Sequence, residues 1–313
     1  MFMDIPMDIP MGIPVDLLSI AKLRSPYTNL VLSGGSTRGI SQLGALKQLI
    51  KHNLIDISRL KCIVGVSVGS LIACLLALKF SVEEIWDSIM KKDLMNLLHI
   101  DLNLLLTSYG IETGKTIYKI MEGILTKITK IHHITLKQLY EFTSVHLIIV
   151  GSCLTTKEPV YFDHITHPDF RVSIALRISV SMPGLFIPVI RNGMTYIDGG
   201  ITDNYPIHLF EKDLDNTIGI SVSNECDTNF KCFEQYVMAI MNLVLHKFYY
   251  TLDSKYVSNT VNITKVLTNV NSFNFGIDDH TKKELFRIGE ESAIEFIKEH
   301  IPMTLVTEDF EKD

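Results

Sequence analysis

A serine framed by glycines lies between two apolar segments in the first quarter of the chain. Gly65, Ser67 and Gly69 form a G-x-S-x-G motif, with the apolar run 60–64 before it and the apolar run 71–78 after it. Between a strand and a helix, this motif is typical of a nucleophile elbow, a tight turn that exposes the serine hydroxyl. The start of the following helix favours the negative charge that develops during attack on an ester. The context predicts a nucleophilic Ser67, and a purely structural turn is the alternative.

A second glycine turn precedes this motif and is followed by an amphipathic helical pattern. Gly34, Gly35 and Gly39 enclose Ser36 and Arg38 in this turn. Three interpretations compete. A phosphate-binding P-loop requires a lysine followed by Ser or Thr, which the turn lacks, and a dinucleotide fingerprint requires glycine where Ser36 stands. An oxyanion hole needs only two preorganised N–H donors, which Gly35 and Ser36 supply. Beside a nucleophile elbow, the oxyanion hole is favoured.

An aspartate at the end of a predicted strand precedes two further glycines. Asp198 is followed by Gly199 and Gly200. Asp-Gly alone is an ordinary turn signal. An aspartate at the end of a strand can also be brought close to a catalytic serine, so Asp198 is a candidate partner for Ser67.

In this order, the three segments resemble the patatin-like phospholipase family. Its pattern is a glycine-rich loop carrying Arg or Lys, then G-x-S-x-G, then Asp-Gly-Gly or Asp-Gly-Ala. Residues 44–49 match the helix after the family's loop, residues 175–188 resemble its ASxAxPxxFxP stretch, and residues 204–206 match its NxP. The resemblance covers residues 27–206. One departure is Ser36, which replaces the third loop glycine and adds strain if that position has a positive φ.

The resemblance implies a catalytic dyad of Ser67 and Asp198, without a histidine and without a cofactor. Asp198 would accept the proton of Ser67 as the hydroxyl attacks an ester carbonyl, and water would release the acid from the acyl-enzyme. The implied substrate is a phospholipid or another glycerolipid. The expected oxyanion-hole residues are Gly34, Gly35, Ser36, Arg38 and Gly39, and the motif glycines around the dyad are Gly65, Gly69, Gly199 and Gly200.

Two other functions remain open. A Ser-His-Asp esterase or thioesterase acting on soluble esters would need a histidine after the acid, and the candidates are His208, His246, His280 and His300. None of these lies in a glycine-framed loop after a strand, so each is expected to be an ordinary buried or surface histidine. A catalytically silent lipid-binding protein of the same fold is the other alternative, and the presence of both Ser67 and Asp198 argues against it.

Size and composition are compatible with one enzyme domain. The chain has 313 residues, 47% of them hydrophobic, and a formal net charge of −6. This acidic balance argues against nucleic acid as a main partner, and any membrane contact must use apolar residues or a local basic patch. The five cysteines are an odd number and predict reduced thiols in a cytoplasmic protein. No His, Cys, Asp or Glu cluster has the spacing of metal ligands, so no metal is predicted. The sequence does not indicate whether the chain has a protein partner.

The first residues repeat a Met-x-Ile-Pro tetrapeptide over residues 3–14. Proline at every fourth position excludes a helix, so residues 1–25 are expected to be extended or disordered. They lack the features of a signal peptide, and the apolar run 71–78 is too short to span a membrane. We therefore expect a cytoplasmic protein in peripheral contact with membranes. Residues 26–225 are predicted to form the catalytic domain, and residues 226–313 its mainly helical continuation.

Short β-type runs alternate with helical patterns along the chain. This alternation predicts the α/β class, with a mostly parallel central sheet, helices on both faces and catalytic loops at the strand ends. The resemblance implies the three-layer patatin-like form of this class. The predicted strands are 29–33, 61–66, 145–152, 159–163, 194–197 and 217–223. The predicted helices are 40–52, 68–79, 82–91, 113–127, 135–141, 171–180, 206–211, 232–250 and 281–299.

The leucine-rich run 102–106 lies in the segment 93–114, which no motif places. A lid over the site is one interpretation, and core packing is the favoured one because leucine-rich segments usually pack inside. A peripheral enzyme must also present apolar residues near the site mouth to a lipid surface. Leu185 and Phe186 are candidates for this contact, and core packing is the alternative for both.

Overall fold

Ten strands and eight helices are present in the described part of the computed structural model, which comprises residues 25–91, 100–222, 254–265, 267 and 277–300. The strands are β1 (Asn29–Leu32), β2 (Cys62–Val66), β3 (Gly110–Glu112), β4 (His146–Cys153), β5 (Glu158–Phe162), β6 (Gly184–Phe186), β7 (Val189–Arg191), β8 (Met194–Asp198), β9 (Thr217–Val222) and β10 (Thr260–Ile263). The helices are α1 (Ile40–Lys51), α2 (Val68–Ala77), α3 (Val82–Lys91), α4 (Asn103–Ser108), α5 (Lys115–Thr129), α6 (Leu136–Thr143), α7 (Val172–Ser179) and α8 (Asp279–His300).

The central sheet is mixed. Its order is β10-β9-β1-β2-β4-β8-β7, with β5 also paired to β4. The strands β10, β9, β1, β2 and β4 run parallel, as predicted, while β5, β8 and β7 add antiparallel pairs at one side. The strands β3 and β6 form a separate parallel pair. The predicted α/β fold with a mainly parallel sheet centre is confirmed.

The register of the sheet places the two candidate catalytic residues at one level. Val66, just before Ser67, pairs with Val150 of β4, and Asp198 pairs with Gly151 of the same strand. Ser67 and Asp198 therefore lie at the ends of the two strands that flank Gly151. These two strands are two strand spacings apart, or about 10 Å. This register depends on β8 running antiparallel and pairing only with the last residues of β4.

The central strands are buried on both faces. Alternating side chains divide between two sides, with Leu30, Leu32 and Ile63 in one large cluster and Val64 and Val66 in another. The large cluster includes side chains of α1, α2, α3, α5, α6, α7 and α8. In the described residues, short 3₁₀ helices at Ile207–Phe210 and Ser254–Asn259 contribute to the opposite side. Burial on both faces explains the nearly continuous apolar sequence of these strands.

Most of the predicted elements are present within one or two residues of the predicted limits. All six predicted strands form, the helix α2 is buried nearly all round, and the capping box of Ser81 and Glu84 closes with both hydrogen bonds. The prediction of a regular helix at 206–211 is wrong, since a 3₁₀ helix of four residues stands there. The predicted helix 232–250, most of the N-terminal segment 1–25, Cys226 and Cys232 lie outside the described residues.

The expectation that the leucine-rich run 102–106 packs in the core is wrong. Leu102 is 70% exposed and Leu106 is 88% exposed. The run forms the short helix α4, whose apolar side faces outward, because β3 immediately after it pairs with β6 and holds the segment at the surface.

The helix α8 packs against α1 through two glycines. A Cβ atom on Gly44 would lie 1.9 Å from the carbonyl oxygen of Phe286, and one on Gly289 would lie 1.8 Å from that of Ser41. The two backbones therefore approach more closely than any side chain at these positions permits. This contact attaches the C-terminal helix to the helix that follows the glycine turn.

We expect Gly44→Ala and Gly289→Ala each to lower the free energy of unfolding by about 1–3 kcal/mol, because the added methyl group overpacks a backbone contact. Gly123→Ala in α5 is the matched control, since nothing lies within 4 Å of its Cβ position. There, alanine should raise stability by roughly 0.5–1 kcal/mol through helix propensity. Urea unfolding followed by circular dichroism measures all three. Equal stability changes at the three positions would contradict the packing argument.

Candidate active site

Ser67 occupies a sharp turn between β2 and α2. Its backbone angles are φ 51° and ψ −126°, a conformation that L-residues rarely adopt. The neighbouring glycines allow this turn, because a Cβ on Gly65 would lie 2.5 Å from the Cα of Ser70, and one on Gly69 would lie 2.5 Å from the carbonyl oxygen of Ser33. Strained backbone of this kind is typical of nucleophile elbows. The turn leaves the Ser67 hydroxyl at the start of α2.

The hydroxyl of Ser67 donates a hydrogen bond to Asp198. The distance from Ser67 Oγ to Asp198 Oδ2 is 2.7 Å, and Asp198 Oδ1 accepts a hydrogen bond of 2.8 Å from the backbone N–H of Gly200. Asp198 is 1% exposed. Burial raises the pKa of this carboxyl to about 7, although the two hydrogen bonds partly offset the effect. A carboxyl with this pKa can accept a proton near neutral pH better than an ordinary aspartate can.

The end of α7 holds both members of this pair, a role that the sequence patterns did not reveal. The buried Ser179 accepts a hydrogen bond of 2.9 Å at its Oγ from the backbone N–H of Ser67. The carbonyl oxygen of Ser181 accepts one of 3.0 Å from the backbone N–H of Asp198. From the neighbouring strand β4, Ser152 donates its hydroxyl to the carbonyl oxygen of Asp198 at 2.7 Å. The only sequence signal for Ser179 and Ser181 was that both lie in the 175–188 stretch, which resembles a motif of the family.

The glycine turn lies beside Ser67. A Cβ on Gly34 would lie 3.3 Å from the Cβ of Ser67, and one on Gly39 would lie 2.4 Å from the side chain of Val68. Gly35 is the N-cap of a 3₁₀ helix that begins at Ser36. In the described part of the chain, the backbone N–H of Gly35 donates no hydrogen bond. The turn and the elbow are therefore packed in direct contact.

Ser36 and Arg38 are the two residues of this turn with side chains of special interest. Ser36 has φ 52°, so the serine stands in a left-handed conformation where the family has glycine. A serine costs about 1–2 kcal/mol there relative to glycine. Arg38 is 7% exposed, so its side chain is buried rather than extended into solvent.

Hydrogen bonds attach the turn to its surroundings. Gln42 donates its side-chain amide to the carbonyl oxygen of Ser33 at 2.7 Å, and Ser33 Oγ accepts from the N–H of Val222 at 2.9 Å. The N–H of Gly34 donates to the carbonyl oxygen of Asn204 at 3.3 Å. Asn204 follows the Asp-Gly-Gly segment, so this bond joins the turn to the loop that carries Asp198.

The described histidines do not complete a triad. Within the described residues, the hydrogen-bond partners of the Asp198 carboxylate are Ser67 and Gly200. The ring of His208 lies 3.7 Å from a different carboxylate, Asp203. His280 and His300 lie at the two ends of α8, and His246 lies outside the described residues.

An apolar cavity of about 270 Å³ borders Ser67. Side chains of α2, α3 and α5 form most of its wall, and Ser36 and Gly39 contribute from the glycine turn. Leu185 and Phe186 of β6 also line the cavity and are 4% and 3% exposed. Their expected role as surface contacts with lipid is therefore wrong, and the alternative of packing inside the molecule is confirmed for both.

Arg177 ties α7 to the wall of this cavity. The side chain is buried and donates hydrogen bonds of 2.8 Å to the carbonyl oxygens of Thr113 and Ile187, and its Nη1 donates to Ser181 Oγ. The guanidinium lies 5.3 Å from the ring centroid of Phe186. Burial lowers the pKa of Arg177 to about 10, and the nearby Glu112 opposes this effect. One helix end thus links the Ser67–Asp198 pair to the segments after β3 and β6.

Residues 30–211 match the family model described as patatin-like phospholipase. The chain belongs to the patatin-like phospholipase family. The matched span contains Ser67, Asp198, the glycine turn and the sheet register that aligns them.

Viral proteins are among the relatives that are similar to this chain in sequence. Protein R571 of Acanthamoeba polyphaga mimivirus is 32% identical over 283 residues, which are 86% of this chain and 93% of that protein. A probable lipid hydrolase, 463L of Invertebrate iridescent virus 6, is 34% identical over 58% of this chain and 63% of its own length. The crystal structure of VipD from Legionella pneumophila aligns with a TM-score of 0.64 at 17% identity, covering 88% of this chain and 67% of that one, which supports the fold.

Two further findings concern metal ions and membrane-spanning helices. Within the described ranges, no cluster of three or more His, Cys, Asp or Glu side chains is arranged to hold a metal ion. In the same ranges, no helix combines the length and the apolar character needed to cross a membrane.

We expect Ser179→Ala to lower kcat/KM on a soluble ester by about ten- to a hundredfold, because it leaves the buried N–H of Ser67 without an acceptor at a strained turn. Ser179→Thr keeps the hydroxyl and should restore most of the activity. Titration of active sites with a fluorophosphonate separates this positioning effect from simple loss of folded enzyme. Unchanged turnover per titrated site in Ser179→Ala would contradict the assigned role.

Proposed function

We propose that this chain is a lipid acyl hydrolase of the phospholipase A type, which cleaves carboxylic esters of glycerolipids through Ser67 and Asp198. The observation that carries the proposal is the buried hydrogen bond of 2.7 Å between these side chains beside an apolar cavity. The membership of the family and the likeness to a probable lipid hydrolase support the substrate class. An apolar cavity beside a nucleophile is suited to hold an acyl chain while its ester meets the hydroxyl.

The chemistry proceeds in two steps. As Ser67 Oγ attacks the carbonyl carbon, Asp198 accepts its proton, and a tetrahedral intermediate forms. Collapse of the intermediate breaks the ester bond, and the proton passes from Asp198 to the leaving alcohol oxygen. Water then gives one proton to Asp198 and attacks the acyl-enzyme. Collapse of this second intermediate releases the fatty acid, and the proton passes from Asp198 to Ser67 Oγ, which restores both residues.

The glycine turn stabilises the negative oxygen of the intermediate in this proposal. The N–H of Gly35 donates to no other group in the described residues and lies in the turn packed against Ser67. Ser36 supplies the second N–H, and Arg38 and the start of α2 add positive potential. The contact between Gly39 and Val68 keeps this turn at a constant distance from the elbow.

The place of action in this proposal is the surface of a membrane or lipid aggregate in a reducing compartment. The described cysteines Cys62, Cys74 and Cys153 are free thiols, as expected for a cytoplasmic protein. A soluble-ester hydrolase with a Ser-His-Asp triad is the alternative that the experiments below distinguish, because it requires a histidine in contact with the acid.

We expect Ser67→Ala and Asp198→Asn each to abolish ester hydrolysis while leaving the fold intact, since attack and proton removal are one coupled step. A double variant should be no less active than either single variant. Release of fatty acid from phosphatidylcholine and from a soluble p-nitrophenyl ester measures the effect. Retained turnover in Asp198→Asn would overturn the dyad, and loss of turnover in His208→Ala would favour the triad.

We expect kcat/KM to fall as the pH decreases through about 7, because the base must be ionised and burial raises the pKa of Asp198 to about 7. An aspartate of ordinary pKa would keep full activity down to about pH 5. The profile is best measured on a monomeric ester, so that lipid packing does not change with pH. A flat profile between about pH 5 and 8 would show that the pKa of the catalytic base is not raised to about 7.

A further inference from the structure

The helix α4 presents its apolar side to solvent. Leu102, Leu105 and Leu106 follow the spacing i, i+3 and i+4, which places them on one side of the helix, and the exposed Tyr109 directly follows the last helical residue. Their exposed fractions are 70%, 36%, 88% and 71%. We refer to these four residues as the outward apolar face. A surface helix normally turns such a stripe toward the core, so an exposed one indicates an interaction surface.

The outward apolar face is attached to the wall of the cavity. The N–H of Asp101, just before the helix, donates to the carbonyl oxygen of Ile111 in β3 at 2.8 Å. The strand β3 pairs with β6, which carries the cavity residues Leu185 and Phe186. After β3, the chain enters α5, which lines another part of the cavity. The face therefore belongs to the segment that forms the cavity wall.

The charges in this segment indicate what the face contacts. Between residues 100 and 110, the one charged side chain is Asp101, and no Lys or Arg is present. The whole chain carries a net charge of −6, so attraction to anionic lipid does not bring it to a membrane. Exposed leucines with a tyrosine suit the boundary between headgroups and acyl chains of an uncharged bilayer surface.

We propose that the outward apolar face inserts into the surface of a zwitterionic phospholipid bilayer and thereby places the cavity over its lipid substrate. This inference rests on the proposed function, because the position of the face beside the cavity serves catalysis only if the substrate is a membrane lipid. A second copy of this chain or a protein partner is a different occupant, and the test distinguishes it.

The test compares two double variants in the full chain. In Leu102→Ser/Leu106→Ser the face is made polar. In Phe142→Ser/Ile165→Ser, two other exposed apolar residues are changed, which are 51% and 68% exposed. They lie near the start of β4 and thus at the opposite end of that strand from Gly151. Binding to phosphatidylcholine vesicles is measured by co-sedimentation, and hydrolysis is measured on the vesicles and on monomeric p-nitrophenyl butyrate.

We expect the face variant to lose at least about tenfold in vesicle affinity and in the rate on vesicles, because two leucines no longer enter the apolar layer. Its rate on the monomeric ester and its melting temperature should equal those of the wild type, and the control variant should match the wild type in all assays. The binding should change little with salt concentration. In Leu106→Trp, vesicles should shift the tryptophan emission to the blue, and in Ile165→Trp they should not.

Unchanged vesicle binding in the face variant, or an equal loss in the control variant, would overturn the inference. A face variant that changes from dimer to monomer in gel filtration, with vesicle binding intact, would assign the face to a second copy. Ser67→Ala should bind vesicles like the wild type. Failure of the wild type to hydrolyse the monomeric ester would count against the proposed function, whereas vesicle binding by the same protein would still decide the role of the face.

Discussion

The hydrogen bond between Ser67 and Asp198 depends on the register of three strands. Ser67 follows the end of β2, Asp198 ends β8, and β4 lies between them with Gly151 at the same level. Because β8 runs antiparallel to β4, the strand brings its final residue to the level where the parallel strand β2 ends. A shift of one residue in either pairing would turn the side chains to the other face and separate the two groups. The mixed sheet is therefore a requirement of the site.

The burial of Asp198 has two effects, since it makes the carboxyl a stronger base and makes its ionised form unfavourable in free energy. An ionised carboxylate in an apolar interior is unfavourable, which raises its pKa toward neutrality. Its two oxygens are satisfied by the Ser67 hydroxyl and the Gly200 N–H, so the group is held in one orientation. The backbone on both sides of the pair is held by the end of α7, through Ser179 and Ser181. A short buried segment thus orients two residues that are far apart in the sequence.

The end of α7 also connects the Ser67–Asp198 pair to the segment that carries the outward apolar face. Arg177 donates to carbonyl oxygens that follow β3 and β6, and the chain just before β3 carries the outward apolar face. A buried arginine stabilises such a link only when its donors are paired, and here three acceptors surround it. In the proposed function, the catalytic pair, the acyl cavity and the membrane contact are parts of one continuous packed unit.

The sequence by itself predicted most of the elements and the candidate site of this protein. The glycines around Ser67, the turn at 34–39 and the Asp-Gly-Gly segment predicted a nucleophile, an oxyanion turn and an acid, because glycine, serine and aspartate meet local backbone and chemical requirements there. Apolar periodicity predicted the long strands and helices for the same reason. The three-residue strands β3, β6 and β7 and the edge strand β10 escaped prediction, because they carry too little pattern and form only when distant partners are present.

Only the tertiary structure decided what depends on contacts between distant segments. The level shared by Ser67 and Asp198, the acceptor role of Ser179 and the raised pKa of Asp198 arise from pairing and burial that local sequence does not encode. The run 102–106 shows the limit most clearly. Its leucine spacing predicts an apolar helix side, but whether that side meets the core or the solvent depends on the strand pairing that follows it. Hydrophobic pattern defines a face, and the packing of the remaining chain determines its direction.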